Sequence, residues 1–250
     1  TANVTGLVNR SVSTWGGNVT VNDSNVTATF TSLTRVAGEN VSGSPYNISN
    51  GTVTLSNNAS GNYVRTFNGS NNPALTITPA SLGVAFANAN QTKVYGADDP
   101  AMANITANLS GLVNATVSTW NGNVTINDTN VTGTFNSITR AAGENVGRYN
   151  VSNATVTLSS GDANYVRTFN TSNGPNLNIT PAPMNVSLGN VSQLTKVYGA
   201  SDPSLGSLTA NVTGLVNRSV STWGGNVTVN DSNVTATFTS LTRVAGENVS

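Results

Sequence analysis

One stretch constrains this chain more than any other. STWGGNVTVND at residues 13–23 returns as STWNGNVTIND at 118–128 and, unchanged, at 221–231. The spacing is about 100 residues, the size of a domain rather than of a solenoid turn. Other markers keep the same order. RVAGENV, RAAGENV and RVAGENV begin at Arg35, Arg140 and Arg243; KVYGADDP and KVYGASDP begin at Lys93 and Lys196; NYVRTFN begins at Asn62 and Asn164. Residues 1–42 are identical to 209–250, so two slightly different units alternate in a larger repeat. The runs LTITPA (75–80) and LNITPA (177–182) end in proline, which has no N–H for a following ladder. These breaks predict three regions: 1–80, a repeat lacking its first strand segment; 81–182, a complete repeat; and 183–250, a repeat truncated at its C-terminal side.

Within each unit the pattern is of period two. TATFTSLT, NGTVTLS, NYVRTFN and LTITPA alternate apolar and polar residues and are rich in Val, Thr, Ile and Phe, bounded by Gly, Asn-Gly and Pro. No sustained helical period occurs, and at most a turn or two of helix fits DDPAMANITANLSG at 98–111. The expected class is all-β, a tandem array of small β-sandwich-like or β-grasp-like domains of about 100 residues, each with about five to eight strands.

Charge narrows the function. Ten basic and ten acidic residues cancel, and only 8% of the chain is charged. Nucleic acid and anionic membranes need a basic surface, so neither is an expected partner. No apolar stretch is long enough to predict direct membrane insertion. With no histidine and no cysteine, acid-base catalysis falls to a few carboxylates. No enzymatic activity and no cofactor or metal is expected.

The ordered set KVYGADDP, GLVN, TRAAGENVGRYNVS, NATVTLSSGDANYVRTF and LNITPA resembles the MBG-type (YGX-type) tandem repeat domains of large bacterial surface adhesins. The resemblance covers essentially the whole chain. It implies mostly β spacer modules of secreted or cell-surface proteins, without catalysis. The chain departs from the family's GLVNGD by having GLVNRS or GLVNAT, which removes a turn glycine and an acid and creates an Asn-x-Ser/Thr sequon. It is also far richer in asparagine.

That asparagine demands a cause. Of 40 asparagines, 29 stand in sequons, where random placement gives roughly ten. Simple alternation explains Thr on an outward face but explains Asn poorly, since Asn is a weak strand former. Internal comparison points the same way. Asn9-Arg-Ser matches Asn114-Ala-Thr, and Asn22-Asp-Ser matches Asn127-Asp-Thr, so neighbours change while the triplet stays. Asn40 is the counterexample, because its counterpart Asn145 has lost the sequon. The expected covalent N-linked glycan sites are Asn3, Asn9, Asn18, Asn22, Asn25, Asn108, Asn114, Asn123, Asn127, Asn130, Asn211, Asn217, Asn226, Asn230 and Asn233. Strand geometry puts Asn18 and Asn22 on one face, with Val19 and Val21 pointing away from it.

Other residues carry weaker signals. Asp98 and Asp99 form a carboxylate pair, but the next unit has Ser201 and Asp202, so a turn or surface cap before Pro100 is favoured over hydrolysis. Asp23, Asp128 and Asp231 offer oxygen ligands for calcium, with a hairpin turn as the better reading. Lys93 is expected to pair with Glu144, as an ion pair or, more sharply, as part of a Lys-Asn isopeptide cross-link. Trp15, Trp120 and Trp223 are core or inter-domain plugs or, alternatively, platforms that stack on sugar.

The expectation is therefore a bacterial or archaeal extracellular or cell-surface chain, a structural repeat unit of a fibre or adhesin stalk, densely N-glycosylated. Its partners would be other copies of the same repeat. The alternative is an adhesin module that binds carbohydrate through its Trp-bearing loops. Residues 183–208 match the segment that 1–80 lacks, so strand exchange between subunits stands beside a continuous chain.

Overall fold

The structure is a computed structural model that describes residues 2–57, 59–189 and 194–248. Among them the chain is all-β, with five short 3₁₀ turns and no α-helix. The strands are β1 (Asn9–Thr14), β2 (Gly17–Asn22), β3 (Ala28–Arg35), β4 (Tyr46–Leu55) and β5 (Ala74–Leu75). There follow β6 (Ala80–Phe86), β7 (Asn90–Val94), β8 (Ala107–Ser110), β9 (Asn114–Thr119), β10 (Gly122–Asn127), β11 (Gly133–Arg140), β12 (Gly147–Leu158), β13 (Tyr165–Phe169) and β14 (Asn176–Thr180). The last are β15 (Asn185–Leu188), β16 (Ala210–Thr213), β17 (Asn217–Thr222) and β18 (Gly225–Asn230). The stretch expected to hold a turn or two of helix folds as a single 3₁₀ turn, Met102–Asn104, before β8. The sheets are β1-β2, β9-β10, β15-β16 and β17-β18 as pairs, β3-β4-β5, β13-β6-β8, and the four-stranded β11-β12-β14-β7.

Packing divides the chain into two compact units, and residues of the middle repeat contribute to both. The first gathers the residues up to 82 with 109–132 and 158–168; the second gathers 83–108, 133–157 and the residues from 169 on.

In the first unit β4 runs antiparallel to both β3 and β5. The β3-β4 register shifts between Phe30 and Ser32. An extra residue in one strand breaks strict alternation. Phe30, Leu33 and Phe67 then converge over Gly51, where an added Cβ would lie about 3.0 Å from each.

In the second unit the alternation of ASLGVAF sends Leu82, Val84 and Phe86 of β6 inward; of these, Val84 and Phe86 belong to this unit. β12 buries Val151, Ala154 and Val156, with alternation interrupted between Val151 and Ala154. β14 is antiparallel to β12 and parallel to β7, with Leu177 opposite Gln91 and Ile179 opposite Lys93. Phe86 is 1% exposed and meets Phe135 edge-on at 5.0 Å and Phe169 at 5.5 Å.

The three Trp hairpins share one register. Asn9 faces Asn22, Asn114 faces Asn127 and Asn217 faces Asn230, with Trp at the first position of a two-residue turn. Each turn is tied by the preceding threonine, whose hydroxyl donates to the carbonyl of Gly17, Gly122 or Gly225 at 2.6–2.7 Å. On the side away from Asn18 and Asn22, Val19 is exposed and Val21 half-buried. The identical ribbon β17-β18 is also two-stranded but, seated on the loop at residues 95–100, buries Val220 and Val229, so a covering neighbour and not period two decides burial.

Candidate functional site

The densest chemistry in the chain is a buried charge quartet. Period two in β7 points Lys93 inward. Its ammonium donates to Asp99 Oδ1 at 2.7 Å and to Glu144 Oε2 at 2.5 Å. Arg140, at the end of β11, grips Asp99 side-on, Nε to Oδ2 at 3.0 Å and Nη2 to Oδ1 at 3.3 Å, and also donates to Glu144. The side chains of Lys93, Asp99, Arg140 and Glu144 are between 1% and 8% exposed. Two positive and two negative charges alternate, so each is compensated on both sides. The AGEN turn is built around the guanidinium. Arg140 Nη1 donates to the carbonyls of Ala141 and Gly143, and the guanidinium lies over the Tyr149 ring, 5.3 Å from its centroid. Gly143 has φ +132°, and a Cβ there would strike the Tyr149 ring at 2.5 Å. The expected Lys93–Glu144 pair is therefore present, but as half of a quartet. Both partners of Lys93 are carboxylates. Asp99, expected in a turn or surface cap, lies inside the quartet, because Lys93 and Arg140 converge on it.

The quartet recurs. Lys196 reaches Asp202 at 2.9 Å and Glu247 at 2.6 Å, and Arg243 reaches Asp202 at 2.9 Å, yet here Asp202 is 52% exposed. Among the described residues no strand corresponding to β12 or β14 covers this copy. The first repeat shows half of it: Arg35 pairs with Glu39 and lies over Tyr46.

Burial raises the Asp99 pKa, but hydrogen bonds from Arg140, Lys93 and the Trp223 N–H outweigh it and hold the carboxyl below its ordinary 3.8. A carboxyl depressed by folding stabilises the fold above its unfolded value and loses that contribution as pH falls through the folded value. Stability is thus expected to hold down to about pH 4 and to decline below it. Urea midpoints followed from pH 7 to pH 2 check this, and Asp99→Asn should flatten the acid limb. A stability that stays constant below pH 4 would refute the assignment.

Asp98 faces outward and joins a second structure, the seat of the β17-β18 hairpin. The backbone N–H groups of Ser221 and Trp223 donate to Asp98 Oδ1 at 2.9 Å and Asp99 Oδ2 at 3.0 Å, while the Asp99 N–H donates to the Ser221 carbonyl at 2.9 Å. Arg218 pairs with Asp98 at 2.9 Å. The Trp223 indole donates to the Pro100 carbonyl at 2.8 Å, and its ring lies 6.4 Å from that of Phe86. The Ser221 N–H, helped by Arg218, lowers the Asp98 pKa. Trp223 thus plugs the hairpin of the third repeat onto the KVYGADDP loop of the second. Trp120 is half exposed, and its neighbour Asn121 makes two bonds to the backbone of Arg35. Trp15 is fully exposed. Neither of two shallow hollows, one around Leu208, Leu215 and Val234 and one around Arg148, Val151 and Pro175, includes any of the three tryptophans.

The aspartates of NDSN and NDTN have tyrosine partners. Tyr63 donates to Asp23, Tyr165 to Asp128 at 2.6 Å, and Tyr95 to Asp231 at 2.8 Å. The same phenol oxygens of Tyr63 and Tyr165 accept the N–H of Val8 and Val113, both at 2.8 Å, closing the hairpin bases. The tyrosine of NYVRTF was not singled out from the sequence. The signal was there, since it recurs with the Asp it serves. No group of three or more His, Cys, Asp or Glu suited to a metal ion occurs among the described residues.

The asparagines fall into two sets. Of the 29 sequon asparagines, 27 lie on described residues, and all but the half-buried Asn178 are exposed. That includes all fifteen expected sites, from Asn3 to Asn233. The side-chain hydrogen bonds separate the sets more sharply. Among the described residues the asparagine side-chain nitrogens that donate belong to Asn121, Asn136, Asn164, Asn173 and Asn176, none in a sequon. Sequon asparagines engage through the oxygen instead. Asn22 Oδ1 accepts from the Ser24 N–H and hydroxyl, Asn127 Oδ1 likewise from Thr129, and Asn230 Oδ1 from the Ser232 N–H. These Asx turns also answer in part why Asn stands at strand ends, since it caps the turn that follows.

No family model, curated protein or solved structure matches this chain. Its all-β fold, its charge quartet and its two classes of asparagine are what its function must be argued from.

Proposed function

We propose that this chain is a structural repeat unit of an extracellular fibre or stalk, built from MBG-like modules and densely N-glycosylated. One observation carries the reading. N-glycosylation modifies the amide nitrogen, and among the described residues the nitrogens that donate hydrogen bonds belong to asparagines outside sequons. Among the described residues no sequon asparagine donates through that atom, and the oxygens of Asn22, Asn127 and Asn230 hold turns. Their register supports dense display. Asn9 and Asn22 stand directly opposite, as do Asn114 and Asn127, which brings their Cβ atoms to about 5 Å, so glycans would project from the ribbons in adjacent rows. Such a coat would supply the solubility that 8% charge does not, and would shield two-stranded ribbons from edge pairing. The carbohydrate-binding alternative has less support, because the Trp223 ring packs near Phe86 and neither hollow described above includes a tryptophan.

Glycopeptide mass spectrometry on natively produced material tests this. Hexose-type additions are expected at Asn18, Asn123 and Asn226, and none at Asn121, Asn164, Asn173 or Asn176. Asn121 and Asn123 share one peptide, which makes it an internal control. Bare Asn18, Asn123 and Asn226 would sink the proposal.

A further inference from the structure

The Trp hairpin and the KVYG loop form a plug and a socket; of three hairpins and two loops one pair is joined, one loop is open, and of the other two hairpins β9-β10 is held at its tip by Asn121 on Arg35 while the tip of β1-β2 is bare. In the joined pair, Trp223 and Ser221 bond the loop at residues 98–100, Tyr95 bonds Asp231, and Gly96 lies so close to Val216 that a Cβ would meet it at 2.5 Å. The unjoined plug is the β1-β2 hairpin. Its sequence is identical to that of β17-β18, with Val8, Arg10, Ser13, Trp15 and Asp23 in place of Val216, Arg218, Ser221, Trp223 and Asp231. The unjoined socket is the loop at residues 198–203, where Tyr198, Gly199, Ser201, Asp202 and Pro203 stand in place of Tyr95, Gly96, Asp98, Asp99 and Pro100.

Both are shaped for the contact. Trp15 is fully exposed and Tyr198 is 68% exposed. Gly199 keeps φ +79°, the value of Gly96 in the joined socket, although nothing lies within 4 Å of where its Cβ would be. Asp202 is already held by Lys196 and Arg243, as Asp99 is by Lys93 and Arg140, and those hydrogen bonds keep its pKa down at about 2. One carboxylate oxygen of Asp23 takes the Tyr63 hydroxyl, on Oδ2, whereas the inter-repeat tyrosine of the joined pair uses Oδ1 of Asp231.

We infer that the β1-β2 hairpin of one copy of this chain docks on the loop at residues 198–203 of a second copy, giving head-to-tail association. The Trp15 N–H and indole would donate to Asp202 and to the Pro203 carbonyl, and Tyr198 to Asp23. One bond set is weaker than in the joined pair, because Ser201 replaces Asp98 and leaves Arg10 without its carboxylate. The surfaces differ at the two ends of the contact, so association is heterologous and leads to open chains or closed rings rather than to a two-fold dimer.

Sedimentation of the full 250-residue chain over micromolar to millimolar concentration tests this. The average mass should rise with concentration without a dimer ceiling. Trp15→Ala should weaken association by about tenfold or more, with an unchanged far-UV spectrum, because the side chain touches nothing in the free hairpin. Ser201→Asp restores the missing carboxylate and should strengthen association by about tenfold, the worth of a hydrogen bond to a charged group. A chain that stays monomeric throughout, or association indifferent to Trp15→Ala, would overturn the inference. The inference rests on the tandem-repeat part of the proposed function and not on its glycans. A monomeric chain with heavy glycopeptides removes the joint alone; bare glycopeptides with intact association remove the coat alone.

Discussion

Replacing Lys93 with methionine is expected to lower the unfolding free energy by about 3–5 kcal/mol. The side chain is 2% exposed, between Asp99 and Glu144. Without its ammonium, two buried carboxylates share the single charge of Arg140, and water cannot reach them to compensate. The double substitution Lys93→Met with Glu144→Leu should cost less than the single one, although it removes more hydrogen bonds, because the remaining Arg140–Asp99 pair is neutral. That inversion separates burial of unbalanced charge from loss of contacts. Lys196→Met, in the exposed copy of the quartet, should leave the denaturation curve nearly unchanged, since solvent screens an exposed pair. Urea denaturation followed by far-UV dichroism reads all three. Equal losses at Lys93 and Lys196 would mean that burial does not set the strength of this network.

Phe86→Ala should cost about as much, roughly 3–5 kcal/mol, through a different term. Phe86 touches the rings of Phe135 and Phe169 and approaches Trp223, so its removal opens a cavity among three aromatic neighbours and forfeits their edge-to-face contacts. Phe86→Leu should recover much of the loss by refilling the space. Phe30→Ala should cost far less, because Phe30 is 36% exposed. If the two alanine variants melted alike, Phe86 would not be the centre of the core.

Much of this was legible before any coordinates. ASLGVAF alternates, and Leu82, Val84 and Phe86 go inward; STWGGNVTVND turns at its glycines, and the ribbon register follows. Lys93 and Glu144 could be matched because both return at equivalent positions of the next repeat, as Lys196 and Glu247. The missing parts were long-range. Nothing local places Asp99 beside Arg140, 41 residues away, or the hydroxyl of Tyr165 on Asp128, 37 residues away. Asp99 looked like a turn residue because its immediate neighbours are Asp98 and Pro100.

The sequence by itself determined the all-β class, the repeat, the hairpin turns and the excess of sequons, since each depends on residues within a strand or turn of one another. Only the tertiary structure decided what those elements face. It set β7 parallel beside β14, which carried Lys93 into the interior. It seated Trp223 on Asp99 while leaving the identical Trp15 bare, and buried one charge quartet while exposing its twin. Identical local sequence met different surroundings in each pair. Burial, and with it the strength of every charge and aromatic contact, belongs to the neighbours that the fold brings up and not to the residue alone.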